Sequence, residues 1–271
     1  VLDEAFRNFM SKILVKFGRN NGDYKIGASD QIRLRSIFFQ ALAALVVVVV
    51  FVGFAQTFYL SGVLQVPRWK AFAAPPHAWV VNVHGAIFSA WAILLLAQTC
   101  LAKAGRIDLH RRLGLVGFAL ACLVVLASVA VVCEQSARFY RPGHSIVTGT
   151  AQVFRVLGFA ALAYFGFRQR RNPRAHKRLM LLATIVLLPA PLVRWPIFIA
   201  GNFILALACC YSLLALMAFY DWRSTGGVQL ATLVGSATVI ATNPPISAAF
   251  THNAVWVDVA TQMLALGRFL R

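Results

Sequence analysis

The stretch LHRRLGLVGFALACLVVLASVAVVC, residues 109–133, decides the fold class. It opens on His110-Arg111-Arg112 and then runs from Leu113 to Cys133 without a charged side chain. About 20 such residues, each rising 1.5 Å along a helix, match the hydrocarbon thickness of a bilayer. Comparable apolar runs fall at 37–64, 79–102, 146–167, 177–200, 202–220 and 228–249. The pattern predicts an all-α, polytopic transmembrane helix bundle of about seven spans. The last run is the weakest, because Asn243-Pro244-Pro245 interrupts it.

Composition agrees. Of 271 residues, 60% are hydrophobic and 13% charged, against about 25% charged in a soluble domain. So few charges do not cover a soluble surface, and the lipid bilayer becomes the expected partner. The formal charge of +18 would point to nucleic acid if the basic residues formed one stripe. They lie instead in clusters between apolar runs, which argues against nucleic acid and for the cytoplasmic loops of an inner (plasma) membrane protein of bacterial type. With the N-terminus inside, eighteen Lys and Arg fall on the inner side and six on the outer, while Arg155 and Arg194 lie within spans. An odd number of spans then puts the C-terminus outside.

Three segments follow. Residues 1–36 are basic and cytoplasmic, with Phe6, Phe9, Ile13 and Phe17 at helical spacing among Arg7, Lys12 and Lys16, as in a helix lying on anionic lipid. Residues 37–250 form the bundle. Residues 251–271 carry Val255, Val259, Met263 and Leu266 at helical spacing beside Asp258 and Arg268, and read as an interfacial helix. The chain opens on Val1, as a fragment or an alternative start codon would give, and no small-residue cleavage site marks a removable signal peptide. The five cysteines lack metal-ligand spacing and read as small apolar residues.

Two entry points look alike: Asp108-Leu109-His110-Arg111-Arg112-Leu113 and Asn172-Pro173-Arg174-Ala175-His176-Lys177-Arg178-Leu179. Each has a capping residue, a His followed by two basic residues, and a long apolar helix. Spans two-three and four-five then read as a repeated helical hairpin.

These motifs, with Gly53-Phe54-Ala55-Gln56-Thr57-Phe58-Tyr59-Leu60 and Val83-His84-Gly85 followed by Trp91 and Gln98-Thr99, resemble a family of bacterial multi-pass membrane proteins with no established activity. The resemblance covers about residues 37–250, and a more distant likeness in pattern runs to b-type cytochromes. Similar proteins place a His after the sixth span in a His-Pro-Ala-Thr context. Here the stretch reads Val228-Gln229-Leu230-Ala231-Thr232.

Ionisable groups at bilayer depth are costly, about 2.5–3.5 kcal/mol on insertion scales, and need a partner or a function. His84 lies about 8 Å below the outer end of span two, Arg194 at similar depth in span five, and Arg155 deeper in span four with Gln152 one turn away. Pro189, Pro191 and Pro196 predict a kink around Arg194. Two arginines without a carboxylate favour an anion: a haem propionate, a lipid phosphate or a small acid. The plain alternative is that both bond backbone carbonyls or snorkel outward. His84, Trp91 and Gln98 share one face of span two, so the ligand-binding candidates are His84, Trp91, Gln98, Gln152, Arg155 and Arg194.

A second cluster, Gln98, His110, His176 and Gln229, marks the cytoplasmic edge. Paired histidines on repeated helices suit a haem b iron, with His84 and His144 as an outer pair and His110 and His176 as an inner one. Histidines beside basic residues equally suit the interfacial anchor. All eight acidic residues fall in loops or at span ends, so a carboxylate relay is not expected. Three functions stay open: a haem-binding or redox protein, an anion or lipid binding or transport protein with an outer His/Arg pocket, and an accessory subunit among other membrane subunits.

Overall fold

A computed structural model describes residues 28–60, 63, 79–139, 152–195, 201–243, 246 and 253–270. The chain divides into two compact units, residues 1–37 and 38–271. The amphipathic segment read at residues 6–17, His144 and Pro196 lie outside the described residues. All the described secondary structure is helical: α1 (Ala28–Phe54), passing into a π-helical turn (Ala55–Tyr59), α2 (Trp79–Lys103), α3 (Ile107–Phe139) and α4 (Val153–Arg168). It continues with α5 (Pro173–Ile185), α6 (Pro189–Leu192), α7 (Phe203–Thr225), α8 (Leu230–Thr242) and α9 (Ala254–Phe269).

Four stretches, Ile37–Tyr59, Trp79–Lys103, Ile107–Arg138 and Phe203–Thr225, are long and apolar enough to cross a membrane. The other runs contain shorter described helices, and in two of them local chemistry makes the break. In the run 177–200, α5 stops at Ile185, a turn follows, and α6 holds a single helical turn. Pro189 has no N–H to give the carbonyl of Ile185, and the Leu188 N–H donates to that oxygen at 3.1 Å instead, in a tighter turn. In the last run α8 ends at Asn243, whose backbone is extended, as the residue before a proline prefers.

Helix starts match the sequence in one case and depart from it in another. The Asn172 side chain caps α5 by accepting from the backbone N–H of Ala175 at 3.3 Å, with Pro173 in the first turn. Asp108 is no cap: it lies inside the first turn of α3, exposed, 3.9 Å from the Arg106 guanidinium. There it complements the helix dipole. At the other end α3 runs past the predicted stop at Cys133 to Phe139. Glu134 is buried there and pairs with Arg138 one turn on, which neutralises the carboxylate and lets the helix continue.

Helices α2 and α3 pack as neighbours, as do α4 and α5, while α9 lies on α3 and α8 on α5. The core holds Val46, Val50, Phe159, Leu182, Ile185 and Met217. Lipid drives helices together weakly, so close backbone approach at small residues matters more than in water. A Cβ on Gly53 would lie 2.3 Å from the Pro191 carbonyl oxygen, and one on Gly235 would lie 2.4 Å from Leu182 Cδ1. Gly267 of α9 sits against the Cys133 backbone in the same way.

Candidate functional site

A cavity of about 410 Å³ opens between the π-helical turn and helices α2, α3, α4, α6 and α7. Its walls include Phe54, Phe58, Phe88, Val131, Leu187 and Val193, and its polar groups are Thr57, His84, Ser128, Gln135, Gln152, Arg155 and Arg194. The π turn is closed by the Leu60 N–H donating to Ala55 O at 2.7 Å, and such one-residue expansions recur at functional sites. Its ring-bearing residues are held from α2. The Ser89 hydroxyl donates to Gly85 O at 2.6 Å, so the Tyr59 hydroxyl donates to Ser89 at 2.5 Å. Gly85 has no side chain because Phe58 occupies that space: a Cβ would stand 2.9 Å from the ring.

Two guanidinium groups dominate the electrostatics. Arg194 Nη1 donates to the Ala190 carbonyl at 2.5 Å, and the Arg194 charge sits 5.3 Å from the Phe54 ring centroid. Arg155 Nη2 donates to Gln152 Oε1 at 3.2 Å, with Phe203 at 5.9 Å. Among the described residues each keeps a buried nitrogen without a hydrogen-bond partner, Nη1 of Arg155 and Nε of Arg194, and Thr57 Oγ1 is equally unpaired. Both arginines and His84 line the same cavity. No described residue lining the cavity is acidic. Of the two arginines Arg194 donates to a backbone carbonyl, that of Ala190, whereas Arg155 donates to the Gln152 side chain.

His84, Gln152, Arg155 and Arg194, read separately from the sequence, thus share one cavity. The His84 ring stacks on Phe88 with centroids 6.1 Å apart, and its Nδ1 lies 3.5 Å from Ser128 Oγ. Trp91 does not join them. It is 2% exposed in the core, where its Nε1–H donates to Thr184 Oγ1 at 3.1 Å and its ring meets Phe159 edge to face. Gln98 also lies elsewhere, with both side-chain polar atoms buried and unpartnered.

At the basic end of the bundle His110 and His176 approach edge to face, with ring centroids 6.1 Å apart. Each reaches back to the preceding helix: His110 Nδ1 lies 3.3 Å from Gln98 O, and His176 Nδ1 lies 2.7 Å from Gly166 O. A carbonyl only accepts, so Nδ1 carries the proton in both rings and Nε2 keeps its lone pair when the ring is neutral. Burial holds the His176 pKa below the ordinary value, the Gly166 bond partly opposes this, and His110 lowers it further. Gln229 stands apart from this pair. Its backbone N–H donates to Asp221 Oδ2 at 3.3 Å and its side chain to Thr225 at 3.0 Å.

Sequence reasoning missed two features. Ser128 and Gln135 both line the cavity from α3, and their spacing of seven placed them on one helix face. The second is a buried network at the basic end. Arg178 Nε donates to both oxygens of Asp221, at 2.9 and 3.0 Å, and Arg178 Nη1 donates to Arg174 O at 2.7 Å. Thr232 Oγ1 donates to Asp221 Oδ2 at 2.5 Å. The sequence shows Arg178 only as one of a basic run.

Compared with protein-family models, curated proteins and solved structures, the chain matches none of them.

Proposed function

We propose that the protein is a seven-span protein of a bacterial inner membrane that binds an anion in the cavity between Arg155 and Arg194, as a binding or transport protein. One observation carries this reading. Arg155 and Arg194 both line a cavity with no described acidic lining residue, and among the described residues each guanidinium keeps one buried nitrogen without a hydrogen-bond partner. Two like charges in a largely apolar cavity favour a counter-ion held by charge-assisted hydrogen bonds, and an anion there would meet both groups. The excess of basic residues on one side supports an inside N-terminus.

Arg194→Leu tests the site. In detergent-solubilised protein it is expected to abolish calorimetric binding of phosphate and of small carboxylic acids while leaving the melting temperature near that of the parent. Unchanged binding of both anions would sink the proposal.

A second reading, haem b held by His110 and His176, draws on the 6.1 Å separation of their ring centroids and on the Nδ1 bonds to backbone carbonyls that leave Nε2 as the lone-pair nitrogen in each neutral ring. It predicts a Soret band after haem-replete expression that His176→Ala removes. No band would end it.

A further inference from the structure

We infer that the ligand is a phosphate monoester carried on an apolar chain; this rests on the anion-binding reading above and narrows it. The first ground is charge. Arg155 and Arg194 bring two positive charges to one cavity, and no described carboxylate lines it. A monocarboxylate would cancel one of them and leave the other facing low-dielectric surroundings.

The second ground is acceptor number. Arg155 Nη1 and Arg194 Nε are both unfilled, on groups held apart by separate anchors, Gln152 for one and the Ala190 carbonyl for the other. A carboxylate is matched by a single bidentate guanidinium. The three terminal oxygens of a phosphate monoester accept from both arginines and still leave sites for His84, which lines the same cavity.

The third ground is the remainder of the wall. Phe54, Phe58 and Phe88 face the same 410 Å³, a volume in the range of drug-sized ligands and far larger than a bare oxyanion. A free inorganic phosphate would leave that apolar surface against water. An alkyl chain would cover it, and each buried methylene contributes about 0.8 kcal/mol.

The test is competitive calorimetry on the full chain in an uncharged detergent, with dodecyl phosphate, dodecanoate and inorganic phosphate as probes. The Arg155→Leu/Arg194→Leu protein serves as the blank for micelle partitioning. Dodecyl phosphate is expected to bind about 30-fold more tightly than either other probe, and Arg155→Lys, which keeps the charge but loses the fork, to weaken it about tenfold. Dodecanoate binding as tightly as dodecyl phosphate would overturn the phosphate assignment. Inorganic phosphate binding equally well would overturn the apolar chain and make free phosphate the ligand. If none of the three binds above the blank, the anion-binding reading itself falls, which separates that failure from the other two.

Discussion

Arg178 of α5 and Asp221 of α7 form a two-pronged ion pair in the interior, 3% and 1% exposed. Thr232 of α8 donates to the same carboxylate, so one anion ties three helices together at the basic end. Asp221→Asn breaks the charge balance and leaves the Arg178 guanidinium buried without a counter-ion. The expected loss is about 3–5 kcal/mol, measured by thermal or denaturant unfolding in detergent. Replacing both partners, as Arg178→Met/Asp221→Leu, is expected to recover most of it, because the desolvation cost then disappears with the charges.

Gly53 lets the chain of α6 pass. A methyl group there meets the backbone of Pro191 rather than a yielding side-chain tip. Gly53→Ala is expected to cost about 1–3 kcal/mol as overpacking. Gly114, in the helix α3, has open space where its Cβ would stand, so Gly114→Ala is expected to be neutral or to stabilise by up to about 1 kcal/mol. Paired melting curves distinguish the two.

His176 precedes its apolar run, and burial lowers its pKa. Between that lowered value and the ordinary 6.5 the unfolded chain holds more protons than the folded one. Stability therefore falls as pH drops through about 6.5 and levels off once the folded form is protonated too. His176→Gln should flatten the dependence of melting temperature on pH between 7.5 and 5. A variant that keeps the full slope would assign it to another group.

Trp91 is a packing residue here, and its indole N–H is anchored on Thr184. Trp91→Phe should lower stability by about 1 kcal/mol for the lost hydrogen bond. Anion binding in the cavity should be unaffected. A loss of binding with unchanged stability would return Trp91 to the site.

Much of the architecture is local and therefore legible in order along the chain. Apolar run length, the Asn172-Pro173 start, and the proline break at 189–191 are properties of neighbouring residues, since helical hydrogen bonds close within four positions. His84, Arg155 and Arg194 also stood out alone, because ionisable groups in apolar runs are rare. Their meeting in one cavity, the exclusion of Trp91 from it, and the π turn that brings in Thr57 and Phe58 depend on how separate helices pack. So does the conversion of Arg178 from one cation in a basic run to half of a buried pair. A helix's composition states which groups it must satisfy or bury. Which neighbour satisfies them is settled only by side chains arriving from helices distant in sequence, and among the described residues those were a carboxylate for Arg178 and aromatic rings, Phe203 and Phe54, for Arg155 and Arg194.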